Sequence, residues 1–557
     1  MTAPEPVVRR PRGPGVVFSL GATLVLLLVG VVALDAAQSP PPTVAEFAPA
    51  ALDQITDAPD KQSTDIGDPG AGPSAGPSAT AGPTAPTPTP SPVTSGPPVE
   101  RVRDCAGGRQ IEDPQSPPCV IGWKGDNGGA TSFGVTRDEI RIAAPYGTAF
   151  TGDPTDQWQA MVKFFNARFE FYGRKVVLQP LYATGDNFAY PDPKQMQKDA
   201  TKVATELKSF ASLGYTDRKG GESHYYDELA RRHIISIIGR ETAKTTEPYL
   251  ARHAPYEWLR GTALDTQLAN YGQFVCREWA GRALRYGGPW PFTQQPNGKR
   301  TFGVLVTQAT DGSTPDIGPL KDNLAGCGLD PFVYTTTEAQ SDSDATNPIA
   351  ALVSKNVTTV ICVCDVGSAR LYLSGATRNG YHPEWLMGSY INNDVDNSFS
   401  QSTNDQTDNV FGISFLDKFL PVQDAWWYRA MREGDPSVAY VPAALPMSTY
   451  SSLLLLASGI QAAGPNLTPQ TFSDGLMRTV FANPGAGRAP YYQGTVGFVG
   501  GSHSWHRDAS TYWYDLNSTN VSDPTVRGRV CHVGHGLRYE YGEWPTGDPP
   551  YKATSCT

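Results

Sequence analysis

The sequence predicts an α/β protein: two doubly wound, Rossmann-like lobes joined by a hinge, preceded by a transmembrane anchor and a disordered linker. Three observations carry the α/β reading. The stretch from Phe133 to Phe169 reads as strand, glycine-bearing loop and amphipathic helix, the opening unit of a parallel sheet. The same alternation then repeats down the chain. After a Gly/Pro-rich break at 287–299, a second series of the same kind begins.

In the opening unit, Ile140, Ile142 and Ala144 alternate with charged or small residues, the period of a strand. Pro145, Gly147 and Gly152 turn the chain. Asp153, Thr155 and Asp156 are N-cap candidates ahead of Trp158, Met161, Val162, Phe165 and Phe169 at helical spacing. The first series continues with a strand at 175–178, a helix at 196–207, a strand at 210–213, a helix at 222–232 and a strand at 233–238. That last run is largely apolar and β-branched, with four Ile around Ser236, as in a strand buried on both faces. A further strand is predicted at 256–259 and a long helix from Leu264. The second series places strands at 301–307, 332–335, 358–364 and 385–387, with helices at 316–327, 348–355 and 367–378 between them.

At the other end of the chain, Arg9, Arg10 and Arg12 precede an apolar run from Val16 to Leu34. At a rise of ~1.5 Å per residue that run reaches roughly 28 Å, close to the hydrocarbon thickness of a bilayer. It is long for a signal peptide and has no clean cleavage site, so an uncleaved signal anchor is expected over a cleaved signal. Either way the arginines stay in the cytoplasm and the rest is exported. Residues 35–100 are rich in Pro, Ala, Gly, Ser and Thr and read as a disordered tether. The predicted organisation is 1–15 cytoplasmic, 16–34 transmembrane, 35–100 linker and 101–130 a disulfide-bearing segment. Lobe 1 then takes 131–262 and 392–500, and lobe 2 takes 263–391 and 501–557, with the protein held at the cell membrane by a single pass and its folded part outside.

Eight cysteines suit an oxidising compartment. Cys105 with Cys119 and Cys531 with Cys556 bracket short loops and are expected to pair. Cys276 and Cys327 would clip two helices together. Cys362 and Cys364, two apart in a strand, point to one face, where a mutual bond would be strained. Buried thiols or a structural bond are expected there rather than a redox or metal role.

The order of these signals resembles the leucine/isoleucine/valine-binding family of ABC-transporter substrate-binding proteins. The resemblance rests on Gly134-Val-Thr136 with Ile140-Arg-Ile142, on Asn379-Gly-Tyr-His-Pro-Glu-Trp-Leu-Met-Gly388, on the helix Tyr450–Gly464, and on Gly494-Thr-Val-Gly-Phe498 with Ser502-His503. It covers most of residues 131–520. The sequence departs from the family in inserts around 184–194 and 285–300, and lacks its usual Asp in the late helix. The resemblance implies a type I periplasmic-binding fold, with a small polar ligand, amino acid or amide-like, held between the lobes and presented to an ABC permease. A tethered sensor or cell-wall interaction protein of the same fold is the alternative.

No enzyme motif is present: no Gly-x-Ser-x-Gly, no P-loop lysine, no His-Glu-x-x-His. The pairs His503/His506 and His532/His535 sit among loop residues and read as loop histidines rather than zinc ligands. A net charge of -10 argues against a nucleic-acid groove. No cofactor and no metal is expected. Ligands of open α/β sheets bind at the carboxyl ends of strands. The candidate contacts are therefore Tyr146, Gly147, Thr148, Tyr215, Glu241 and Thr242 from one lobe, and Asp311, Asp365, Ser368, Tyr390 and Asn392 from the other. The hinge is placed at a crossing near 262 and a return near 391.

Overall fold

The computed structural model describes residues 113–556, apart from 121, 148–152, 186–191, 216–222, 310, 391, 441–445, 482, 484–493, 548–550 and 553–555. The expected anchor at 16–34, the linker and Cys105 lie outside the described residues. Among the described residues, no helix is long and apolar enough to cross a membrane.

The unit from Glu100 to Thr557 holds two sheets. The first is parallel: β1 (Glu139–Tyr146), β2 (Lys175–Tyr182), β3 (Ala211–Leu213), β4 (Ile235–Ile238) and β5 (Glu257–Leu259), in the order β2-β1-β3-β4-β5. The period-two pattern of β1 divides its side chains between layers. Ile140, Ile142 and Ala144 join one apolar cluster and Ala143 joins another on the opposite face. The first cluster is covered by the helices Thr155–Arg168, Trp426–Gly434, Pro446–Ala463 and Pro469–Arg478, and the second by Pro193–Lys202 and Ser223–Arg231. With helices on both sides, all four side chains of β4 are buried, as its unbroken apolar run requires.

The second sheet repeats the plan. β6 (Phe302–Gln308), β7 (Phe332–Thr337), β8 (Thr359–Val363), β9 (Glu384–Met387) and β10 (Val410–Ser414) run parallel in the order β7-β6-β8-β9-β10. β11 (Asp508–Thr519), β12 (Arg527–His532) and β13 (Arg538–Glu540) extend it antiparallel beyond β10. The helices Leu264–Glu278 and Gly318–Gly326 cover one face, and Thr346–Ser354 and Val366–Arg378 the other. Both lobes thus share one strand order, and in each the winding reverses between the first and third strands of the series.

Two boundaries differ from expectation. The return to the first lobe was placed near 391, yet β10 pairs with β9, so residues 392–414 belong to the second lobe. Gly412 hides this strand in the sequence: a Cβ there would meet the Met387 carbonyl oxygen at 1.9 Å, so close backbone approach takes the place of a β-branched residue. The stretch 501–506, assigned to lobe 2, pairs with lobe 1 instead. Leu259 N donates to the His503 carbonyl and Trp505 N to the Leu259 carbonyl, and Trp505 is buried in the first lobe's cluster. The lobes are therefore joined by three crossings, near 260–264, 415–420 and 506–508.

Cys276 is bonded to Cys327 and Cys531 to Cys556. Cys119 is disulfide-bonded. Cys362 and Cys364 are bonded to each other, the arrangement the strand geometry disfavoured. Cys364 lies one residue beyond the end of β8, where the pleat no longer holds it.

Candidate functional site

The carboxyl ends of the two sheets face one crevice, and the predicted residues fall into three groups there. Glu241, just past β4, and Tyr390, just past β9, lie on its two sides, near enough for the Glu241 charge to act on the Tyr390 hydroxyl. Burial pushes the Tyr390 hydroxyl well above its ordinary range; the carboxylates of Asp365, Glu338 and Glu241 push the same way, against Arg240. Burial likewise lifts the Glu241 carboxyl to about 7, aided by the charge of Asp394 and opposed by Arg240 and Gln267. Arg240 and Glu241 come from the first lobe; Gln267, Glu338, Asp365, Tyr390 and Asp394 come from the second. The lobes are closed on one another.

A second group holds the closure rather than the crevice floor. Lys244 Nζ donates to Asp311 Oδ2 at 2.9 Å across the lobes, and His224 Nε2 lies 3.8 Å from the same oxygen. Burial acts to raise the Asp311 carboxyl, but hydrogen bonds from Ser313 and Lys244 outweigh it and hold it below the ordinary carboxylate range. Asp311 is a latch residue.

The third group is occupied with its own lobe. Asp365 caps the helix Val366–Arg378: Ser368 N donates to Oδ1 at 3.0 Å and Ser368 Oγ donates to Oδ2. Ser368 Oγ also accepts from Ala339 N. Tyr215 donates to Asp199 Oδ2 at 3.1 Å and packs on Tyr225 inside the first lobe. Thr242 closes a turn through Thr245, its backbone N–H donating to Thr245 Oγ1 at 3.0 Å. Tyr146 stands edge-on to Trp158 and Tyr182, and Gly147 is buried behind it. Asn392 adopts a left-handed turn conformation, φ 67°, and accepts from Ser398 Oγ through its carbonyl. Thr148 lies outside the described residues.

Sequence reasoning missed Asp394 and Gln267. Asp394 is buried and accepts from Ser389 Oγ at 2.5 Å and Ser414 Oγ at 2.6 Å, while its Oδ1 has no hydrogen-bond partner among the described residues. Burial raises its carboxyl despite those bonds. A signal existed: Ser389 and Asn393, which flank it, were read as a strand-end loop, but Ser414 stands on the unrecognised β10. Gln267 is on the first turn of the helix Leu264–Glu278, where an N-terminal polar residue looks like ordinary helix surface. Beside these polar groups, Leu264, Leu268, Tyr271, Tyr390 and Phe415 line a small apolar recess on the second-lobe side.

The four histidines of the His-x-x-His pairs do not form a common site among the described residues. Burial lowers His503 and His506 below the ordinary range and takes His532 to about 3. His532 is fixed by Ser510 at 2.9 Å.

No protein-family model and no curated protein matches the chain. Solved structures do. A branched-chain amino acid ABC transporter protein from Thermus thermophilus with bound valine superposes with a TM-score of 0.51 at 11% identity, covering 73% of this chain and 97% of that one. A solute-binding protein of an ABC transporter from R. palustris in complex with 4-hydroxybenzoate gives 0.50 at 10%, covering 73% and 99%. An ABC transporter substrate-binding protein from Aeropyrum pernix gives 0.50 at 14%, covering 72% and 96%. At these identities the likeness is one of fold alone: the chain shares the two-lobed α/β fold of these solute-binding proteins.

Proposed function

We propose that the chain is an extracytoplasmic solute-binding protein of an ABC transporter. In this reading it closes on a small molecule with an ammonium or amide donor and an apolar flank, an amino acid or amide-like solute. One observation carries the proposal. Glu241 and Asp394 bring two buried carboxyls to facing sides of the interlobe crevice, next to Tyr390 and Gln267, with an apolar recess alongside. Asp394 keeps one buried oxygen without a hydrogen-bond partner among the described residues, and a buried carboxyl in that state favours a cationic or donor group beside it. The ligands held by two of the structures of like fold, valine and 4-hydroxybenzoate, support a small ligand with one polar end. Delivery to a permease, and tethering through the apolar run at 16–34 with the folded part outside, belong to the same proposal.

The test is a thermal-shift screen of amino acids, amides, ureas and aromatic acids, followed by calorimetry of any hit in buffers of different ionisation enthalpy. A cationic ligand that pairs with Glu241 lowers its proton affinity, so binding near its midpoint releases up to about half a proton per ligand. Hits confined to aromatic acids, with proton uptake or none, would sink the ammonium reading. No hit at all would leave the crevice without its proposed role.

A further inference from the structure

A second cluster lies in the first lobe, away from the crevice. Asp227 comes from the helix Ser223–Arg231, His253 caps the C-terminus of the helix Glu247–Arg252, and Glu257 opens β5. One ligand atom from each lies within 4.8 Å of the others. His253 Nδ1 is 3.6 Å from Glu257 Oε2, and His253 Nε2 is 3.8 Å from Asp227 Oδ1. Both gaps are too long for hydrogen bonds, so the imidazole joins neither carboxylate directly.

An independent observation concerns Glu257 itself. Its side chain is 0% exposed, and neither carboxyl oxygen has a hydrogen-bond partner among the described residues. His253 Nδ1 is also buried without one. Tyr249 stands near, but its single hydroxyl proton goes to Asp227 Oδ1 at 2.6 Å. A buried carboxylate without partners is unfavourable unless it takes up a proton or a positive charge joins it. Asp227 and His253 are partly exposed, at 44% and 28%, so the cluster opens to solvent on their side.

We infer that Asp227, His253 and Glu257 bind one divalent transition cation of the zinc class. One imidazole and two carboxylates form a nitrogen/oxygen donor set of the kind zinc accepts, with a fourth position left for water or Tyr249. Ligand atoms ~2.1 Å from a tetrahedral ion are about 3.4 Å apart, so the cluster closes by about 1 Å on loading. The ion would tie the middle of one helix and the end of another to the edge strand of the first sheet.

The site stands at the amino end of β5, whereas the crevice gathers carboxyl ends, so it does not depend on the solute-binding reading. The experiment takes the full-length chain stripped by chelator and titrates it with zinc, reading uptake by elemental analysis and the melting temperature alongside. One zinc per chain and a raised melting temperature are expected in the wild type. Glu257→Gln and His253→Gln should lose affinity on the order of a hundredfold. Asp227→Asn, at the exposed ligand, provides a variant whose folding is least at risk. A wild type that takes up no zinc overturns the inference. So does a folded variant that binds as the wild type does, which would mark zinc held elsewhere or adventitiously.

Discussion

Glu241 offers the sharpest test of the closed crevice. Its carboxyl lies at about 7 in the folded protein against an ordinary 4.5, chiefly through burial and secondarily through Asp394. Above pH 4.5 the unfolded chain surrenders this proton while the closed protein keeps it, so closure binds the proton more tightly than unfolding does. Stability therefore falls as pH rises from about 4.5 to about 7 and levels beyond, by up to ~1.4 kcal/mol for each pH unit. Over the whole interval the loss attributable to this carboxyl is about 3 kcal/mol. In Glu241→Gln the group carries no titrating proton. Losing the Gln267 contact costs about 1 kcal/mol, so the variant should gain roughly 1–3 kcal/mol above neutral pH and little in acid. Urea unfolding of both proteins across the range from about pH 5 to 8 measures it. Asp394 remains in both, so the difference between the two curves reports Glu241 together with any relaxation of its partner. Parallel curves would show that Glu241 is solvated. They would refute the closed geometry, and with it the electrostatic basis for a cationic ligand.

Lys244→Met removes the cross-lobe bond to Asp311, whose side chain is 2% exposed while that of Lys244 is 36% exposed. Screening at the exposed partner limits the loss to about 1 kcal/mol, so the open form should gain about fivefold, visible as a longer interlobe distance by spin-label spectroscopy and absent if the pair is idle. Asp365→Ala should lower stability by about 1–2 kcal/mol through the lost helix cap while leaving affinity for any identified solute nearly unchanged. A tenfold loss of affinity in that variant would return Asp365 to the binding surface.

The elements most legible in the sequence are those whose signal is local. β1, β4 and β8 announce themselves by β-branched runs, and most helices between them lie within two residues of their predicted bounds; the helix expected at 196–207 instead begins at Pro193 and is α-helical only to Lys202, and the late helix begins at Pro446 rather than Tyr450. β10 was lost because its stability comes from backbone packed against β9 at Gly412, a tertiary cause that composition does not record. β11 is different: Thr511-Tyr-Trp-Tyr514 is a β-branched and aromatic run that a propensity argument could have found. Its neighbours were read instead as the closing hairpin at 494–503, where the structure has only an isolated bridge between Val496 and His506. Placing candidate contacts at strand ends brings Glu241 and Tyr390 to buried positions beside the other lobe. It failed to separate them from Asp365 and Thr242, because a residue past a strand end is also a residue before a helix. Capping and binding call on the same side chains at the same positions, and only the direction of the carboxylate distinguishes them.

That ambiguity has a physical consequence for how this crevice is built. Each lobe winds its strands in the same order, so the reversal between the first and third strands opens a gap at the same height in both. The gap exists whatever residues line it; the residues decide only what it holds. Here the capping positions are filled by groups that satisfy themselves, Asp365 with Ser368 and Thr242 with Thr245. The proposed site takes its charge from neighbouring positions, Glu241 one residue before Thr242 and Asp394 on the loop after β9. Asp394 is poised by two hydroxyls from β9's loop and β10, the strand that keeps residues 392–414 in the second lobe. Had the chain returned near 391, Asp394 and Ser414 would both stand on the first lobe, and the crossing would separate Asp394 from its Ser389 donor. With the return after β10, Asp394 and both hydroxyls that hold it belong to one lobe, so these hydrogen bonds do not depend on the contact between the lobes.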